Sequence, residues 1–101
     1  MIVRIWHGVT LKSKSDEFFE YVKRTGVKDC RTTEGNRGVF VFRRIHDDKS
    51  HFLFLSFWDS LETVPKFAGK NIEKAVYYPE DKNYLLELEP NVLHYEVLNN
   101  R

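Results

Sequence analysis

Two neighbouring segments of the chain are apolar at almost every position. Val39 to Ile45 and Phe52 to Trp58 are rich in β-branched and aromatic residues, which predicts two β-strands. Residues alternate between the two faces of a strand, so Phe40 and Phe42 point to one face and the valines beside them to the other. An antiparallel sheet with one wet face would show polar residues at every second position. The sequence therefore predicts a sheet that needs cover on both faces.

The rest of the chain supplies the other elements of a small α+β domain. Ser13 and Ser15 are candidate N-caps of a first helix, and Thr25-Gly26 predicts its end. Pro65 predicts a kink or an irregular start in the second helical region. The predicted elements are a strand over 2–9, a helix over 16–25, a strand over 39–45, a hairpin loop over 47–50, a strand over 52–58, a helix over 60–68, a further helical piece over 71–77 and a strand over 92–98. This order predicts one ferredoxin-like (βαββαβ) domain over residues 1–101, with a four-stranded antiparallel sheet.

The doubly apolar strands indicate a partner. Two helices can cover only one face of the sheet, and each Phe or Leu removed from water contributes roughly 1.5 to 3 kcal/mol. We therefore expect a two-fold homodimer that packs sheet on sheet. The alternative is a monomer whose second sheet face is made polar by charged residues, for which the candidates are Arg37, Arg43, Arg44, Glu87 and Glu96.

Composition limits the other partners and the compartment. Sixteen basic and fifteen acidic residues give a net charge of +1, which provides no basic surface for nucleic acid or anionic lipid. No apolar run approaches the length of a membrane span, and the first nine residues are too polar for a signal peptide. The lone Cys30 cannot form an internal disulfide. We expect a cytoplasmic protein that binds neither nucleic acid nor membrane.

His7 is a polar residue on an otherwise apolar strand face. It shares that side with Val3, Ile5 and Val9, so it either makes a hydrogen bond in the core or lines a pocket, where it can exchange protons near neutral pH. His94, in the middle of the last strand, is expected at the dimer interface. The four histidines show no paired spacing, which predicts no metal site.

Three aromatic positions are candidates for a pocket. Tyr77 and Tyr78 are adjacent at the end of a predicted helix, so only one of them can readily face a pocket, and core packing is the alternative for both. Trp58 ends the third predicted strand, where it either stacks on a flat aromatic substrate or packs beneath the second helix.

Several motifs along the chain resemble the antibiotic-biosynthesis monooxygenase family of dimeric α/β-barrel proteins. They are Thr25-Gly26-Val27, Gly35-Asn36-Arg37-Gly38-Val39, Ser56-Phe57-Trp58-Asp59-Ser60-Leu61-Glu62, Phe67-Ala68-Gly69, the run from Ile72 to Asp81, and His94-Tyr95-Glu96-Val97. The resemblance implies a ferredoxin-like protomer, a barrel formed by two sheets in the dimer, and a pocket between sheet and helices. Characterised members oxygenate polyphenols with molecular oxygen and without metal or flavin, and another branch degrades haem.

The haem-degrading branch is distinguished by an Asn, a Trp and a His. By approximate alignment these positions hold His7, Phe67 and Tyr77, so none is kept. The resemblance thus implies a cofactor-independent monooxygenase that acts on a small aromatic substrate. For this reaction we predict His7 as the base, Tyr77 or Tyr78 as the hydrogen-bond donor, and Trp58 and Phe67 as the walls of the pocket. The alternative is a dimeric protein that binds a hydrophobic ligand or haem without turning it over.

Overall fold

The fold is a four-stranded antiparallel sheet with helical segments packed on one face. A computed structural model describes residues 1–99. The strands are β1 (Ile2–Leu11), β2 (Asn36–His46), β3 (Lys49–Trp58) and β4 (Leu93–Glu96), in the spatial order β2-β3-β1-β4 with antiparallel neighbours throughout. This is the ferredoxin-like α+β arrangement, and the predicted fold class is confirmed.

The β2–β3 hairpin is tighter than the sequence predicts. Only Asp47 and Asp48 lie outside the strands, and Asp47 takes a positive φ of 55°, which Asp tolerates better than most residues. The loop predicted over 47–50 is too long, because β3 already begins at Lys49. Ser50 is fully buried in this strand, and its hydroxyl is 2.7 Å from the Ser15 hydroxyl.

The first helical region runs about seven residues beyond its predicted end. It consists of α1 (Ser15–Val22), a wide π-helical turn (Lys23–Val27) and α2 (Lys28–Thr32), so Gly26 does not stop the helix. The hydroxyls of Thr32 and Thr33 bind carbonyls of the preceding turn, and Gly35 at φ 93° completes the exit. The glycine that marks the end of this helical region is therefore Gly35 and not Gly26.

The second helical region is shorter than predicted. A 3-10 turn (Leu61–Thr63) leads into α3 (Pro65–Ala68), which has the irregular start expected from Pro65 and ends at Gly69. The helix expected over 71–77 is absent from the described structure, because its backbone groups bind elsewhere. The Ala75 amide donates to the Pro90 carbonyl at 2.9 Å, and the carbonyl of Lys74 accepts from the buried side chain of Arg4 at 2.8 Å.

The two faces of the sheet have different surroundings. Side chains on one face of β1 and β3 pack against the helices in two clusters, one around Phe18 and Phe52 and the other around Trp58 and Val64. The opposite face is not covered by any element of residues 1–99, and its strongly exposed apolar side chains are 40 to 59% accessible. These are Phe40, Phe42, Leu53, Leu93 and Tyr95. Within the described chain, no helix is long and apolar enough to cross a bilayer.

Candidate functional site

A cavity of about 50 Å³ lies between the sheet and the helical segments. Its walls are mainly apolar, and polar groups project into it from β1, β3, α2 and the segment around residue 80. The apolar walls include Trp6, Phe18, Val22, Phe54, Phe67, Val76 and Val92, and the polar lining includes Arg4, Cys30, Ser56, Tyr78 and Asp81. An apolar enclosure with a few convergent polar groups is the usual form of a small-molecule site.

Arg4 brings a buried guanidinium to this cavity from β1. The side chain is 4% exposed, and it donates to the carbonyls of Ile72 and Lys74 and contacts the His94 Nε2 atom at 3.2 Å. Burial lowers the pKa of Arg4, and burial together with the Arg4 charge lowers the pKa of His94. His94 is therefore a neutral acceptor for Arg4 on the helix side of the sheet. The structure thus places His94 on the helix side of the sheet and not on the open face, where a sheet-on-sheet interface would lie.

Asp81 brings a carboxyl group to the same cavity. It is 6% exposed, and its Oδ2 atom accepts a hydrogen bond from the Tyr78 amide at 2.7 Å. Burial raises the pKa of Asp81, and the amide hydrogen bond only partly opposes that effect. A buried carboxyl with a raised pKa in a cavity is the typical state of a general acid–base residue.

Cys30 and Ser56 form a neutral polar pair near Arg4. The Ser56 hydroxyl accepts a hydrogen bond from the Trp58 indole at 2.9 Å and also contacts the Cys30 thiol. Burial raises the pKa of Cys30 to about 12, although Arg4 and Ser56 act in the opposite direction. The thiol is therefore protonated at neutral pH and is not an activated nucleophile.

Gly26 provides room for the cavity at the wide turn after α1. A Cβ atom at this position would lie 3.6 Å from the Phe54 ring and 3.7 Å from the Tyr78 ring. These are ordinary contact distances, so a side chain as small as alanine would fit there only by filling space in the cavity wall. Single wide turns inside helices often occur at functional sites.

Two of the five predicted site residues line the cavity. Phe67 forms part of its wall, and the Tyr78 hydroxyl donates to the Asp29 Oδ2 atom at 2.5 Å at the mouth. Burial and this hydrogen bond raise the pKa of Tyr78. A shallower groove outside, which includes Asp29, Thr33 and Lys66, shares Phe67 and Tyr78 with the inner cavity. These two rings therefore separate the cavity from the outside.

The other three predicted residues lie elsewhere. His7 is on the opposite face of the sheet, where its Nδ1 atom is 2.6 Å from the Glu89 carboxylate and its ring stacks on His51. Tyr77 binds the Glu89 carbonyl and the Trp6 indole outside the cavity lining. Trp58 is fully buried in the core, stacked on Phe67. The structure therefore does not bring His7 and Tyr78 into one site.

Sequence reasoning missed Arg4, Asp81 and Gly26. Arg4 stands among apolar residues in β1, three positions from His7, so strand alternation places it on the other face. This pattern indicates a special role for Arg4, because a charged residue inside an apolar strand needs a specific partner. Asp81 had no signal of this kind, since its burial depends on the irregular path of residues 70–90.

The cavity does not fit a haem. The inner cavity of about 50 Å³ is smaller than a dry cavity that admits benzene, roughly 150 Å³, so a ligand with an aromatic ring would also need the outer groove of about 300 Å³ beyond Phe67 and Tyr78. The described lining contains no histidine, the Tyr78 hydroxyl is bound to Asp29, and the Cys30 thiol is protonated. Across residues 1–99, no group of three His, Cys, Asp or Glu side chains is placed to hold a metal ion.

The fold and the cavity define a class: α+β proteins of ferredoxin-like fold with a small pocket between sheet and helices. Two solved structures share this fold over nearly the whole chain. One is a proposed antibiotic biosynthesis monooxygenase from Nitrosomonas europaea, with a TM-score of 0.67 and 16% identity, covering 98% of this chain and 100% of that one. The other is the haem degrader MhuD from Mycobacterium tuberculosis with two haems in its active site, with a TM-score of 0.59 and 13% identity, covering 100% and 99%. No protein-family model and no curated protein matches the sequence.

Proposed function

We propose that the chain is a cofactor-independent monooxygenase of a small aromatic substrate, whose reacting carbon lies in the cavity beneath the helices and whose remaining part extends into the outer groove. The observation that carries the proposal is the placement of a buried carboxyl, Asp81, and a buried guanidinium, Arg4, in one apolar cavity without an ion pair between them. A base and an oxyanion partner in a water-poor enclosure are what carbanion chemistry with oxygen requires. The fold shared with the proposed monooxygenase from Nitrosomonas europaea supports this function.

In the proposed reaction the substrate supplies all the electrons. Asp81 accepts a proton from an activated CH₂ group, and the resulting carbanion is delocalised onto an oxygen that faces Arg4. The carbanion reduces O₂ and forms a C–O bond, which gives a hydroperoxide after proton return. Loss of water then converts the CH–OOH group into a carbonyl, so that one oxygen atom enters the product and the other leaves with both hydrogens of the CH₂ group.

Asp81 replaces His7 as the proposed base because of position. His7 faces the other side of the sheet, whereas Asp81 lines the cavity and has a raised pKa. Asp81→Asn keeps an oxygen for the Tyr78 amide but removes the base. We expect this variant to lower oxygen uptake with anthrone by about 100-fold or more, the usual contribution of a general base.

A matched control is Asp47→Asn, which changes an exposed carboxyl in the hairpin turn and is expected to retain uptake. Full activity in Asp81→Asn together with loss of activity in His7→Ala would return the role of base to His7. If the wild-type protein binds the substrate without consuming oxygen, the protein is a binding protein and not an oxygenase.

We further propose that the active form is a homodimer joined through the open face of the sheet. The face carries rows of apolar side chains, such as Leu93, Ile5, Leu55 and Phe40, which are aligned across the four strands. Arg43, one of the charged residues that favoured a monomer, instead points to the helix side and binds Asp16. The polar groups of the open face lie towards one end, where Arg44 is paired with His51 and His7 contacts Glu89, and the rest of the face is mainly apolar.

The energetics of this face support association. Five of its side chains are about half exposed, so full burial of each contributes roughly 1 kcal/mol, or about 5 kcal/mol per protomer and 10 kcal/mol per dimer. The partly exposed Val3, Leu55 and Phe57 add to this sum. The total is in the range of the entropic cost of association, roughly 4 to 15 kcal/mol, so a single charge buried on this face should be decisive.

Sedimentation equilibrium tests the dimer with two glutamate variants. Phe42→Glu places a charge on the open face and is expected to give a monomer at micromolar concentration. Leu61→Glu changes a residue of similar exposure on the 3-10 turn before α3, outside the sheet, and is expected to leave the dimer intact. A monomeric wild-type protein would contradict the proposed dimer.

A further inference from the structure

The charge of Arg4 has no counter-charge in the described part of the chain. Its three polar contacts are two backbone carbonyls and the neutral imidazole of His94. None of the ion pairs formed within residues 1–99 includes Arg4. Buried guanidinium groups are normally paired with an anion, because neutral acceptors satisfy N–H groups without cancelling the charge.

The contacts of Arg4 also leave donors unused. A guanidinium has five N–H donors, and the described contacts involve Nη1 twice and Nη2 once. The Nε–H group and one N–H of Nη2 are therefore unused, and Nε and Nη2 share one edge of the planar group, the edge at which a carboxylate or a phenolate can bind. The two carbonyls and the Phe67 ring, whose centroid is 6.0 Å from the Arg4 Cζ atom, fix the orientation of the side chain.

We propose that the cavity binds substrates with a negatively charged oxygen, a carboxylate or the phenolate of an ionised phenol, and that Arg4 binds this oxygen. The inference rests on the proposed function, because it assigns the substrate class of the same cavity. The other polar groups of the lining are compatible with an anion. The Ser56 hydroxyl and the protonated Cys30 thiol are neutral and can lie beside an anion.

Binding of matched anionic and neutral ligands tests this assignment. Benzoate is compared with benzamide, and 4-nitrophenolate with nitrobenzene, by isothermal titration calorimetry at constant ionic strength. We expect the anion of at least one pair to bind roughly 10- to 100-fold more tightly than its neutral partner, as is typical of hydrogen bonds to a charged group. The pair that shows the preference identifies the carboxylate or the phenolate as the recognised group.

Arginine variants locate the source of the preference. Arg4→Gln should abolish the preference, Arg4→Lys should keep part of it through a point charge, and Arg31→Gln, an exposed arginine on α2, should leave it unchanged. Circular dichroism and a thermal melt check that each variant folds. If Arg4→Gln does not fold, the wild-type protein is compared with Arg4→Lys, and a reduced preference for the anion in Arg4→Lys still identifies Arg4 as its source.

The outcomes separate this inference from the proposed function. Equal binding of the anion and its neutral partner in both pairs overturns the role of Arg4 but keeps the cavity as a ligand site. Persistence of the preference in a folded Arg4→Gln variant also overturns it. Binding of none of the four ligands contradicts both the inference and the cavity as the substrate site.

Discussion

Replacing Gly26 with alanine separates the stability of the fold from the use of the cavity. Gly26 lies inside a continuous helical region, and its φ is not in the left-handed range, so alanine can adopt the same backbone conformation. In the interior of a helix alanine is more favourable than glycine by about 1 kcal/mol. The glycine is therefore unfavourable for folding, and a benefit to the cavity would explain why it is there.

The structure gives the expected size of both effects. The new methyl group would contact the rings of Phe54 and Tyr78 at 3.6 to 3.7 Å, and each such atom pair adds about 0.1 to 0.2 kcal/mol. We expect the free energy of unfolding to rise by about 1 kcal/mol and the Tm by roughly 4 to 8 °C. Because the cavity measures only about 50 Å³, the same methyl group should weaken ligand binding and oxygen uptake.

Thermal melts at a fixed protein concentration and titration with benzoate measure the two effects. Gly69→Ala is the matched control, since Gly69 has a φ of 82° and no atom within 4 Å of an added Cβ. That control should be destabilised by about 1 kcal/mol or more and should bind ligand normally. A lower Tm for Gly26→Ala, or unchanged binding in a stabilised variant, would refute the role given to this glycine.

Two further predictions concern titration. Burial raises the pKa of Asp81, so its contribution to stability is fully present below its unfolded pKa of 3.8 and is lost as pH rises through the folded pKa. In urea titrations, the free energy of unfolding of Asp81→Asn should therefore increase relative to that of the wild type as pH rises from about 4 to 7. A difference that stays constant with pH would contradict this. Because burial and Arg4 lower the pKa of His94, the unfolded chain takes up the proton first as pH falls below 6.5, and stability decreases. His94→Gln should be less sensitive to acid in this range, and an unchanged pH profile would exclude His94 as the cause.

The sequence predicts the sheet well because strand formation leaves local signals. The alternation of Phe40, Val41 and Phe42 is visible in the sequence, and the structure places the valine on the core side and both phenylalanines on the open side. Which face the helices cover is not a local property. His7 was expected near the pocket for that reason, although its three-residue separation from Arg4 already places the two side chains on opposite faces.

The segment from residue 70 to residue 90 is predicted poorly because tertiary contacts determine its path. The residues over 71–77 have helical spacing, but their carbonyls and amides bind Arg4 and the strand-like segment near Pro90 instead. Propensity is a weak determinant when a buried charge requires acceptors. Asp81 is buried as a consequence of the same path, so the candidate base could not be found without the structure.

The two proposed functions of the sheet follow from the two-residue period of its strands. In β1, Arg4 and Trp6 face the cavity, while Ile5 and His7 face the open side. Dimerisation and substrate binding therefore use alternate residues of the same strand. A change on the open face reaches the cavity only through the backbone of β1 and β3, whose pairing continues over ten residues. This arrangement lets the open face become highly apolar for association without altering the polar groups that the cavity needs, and it explains why the strands of this chain carry apolar residues at nearly every position.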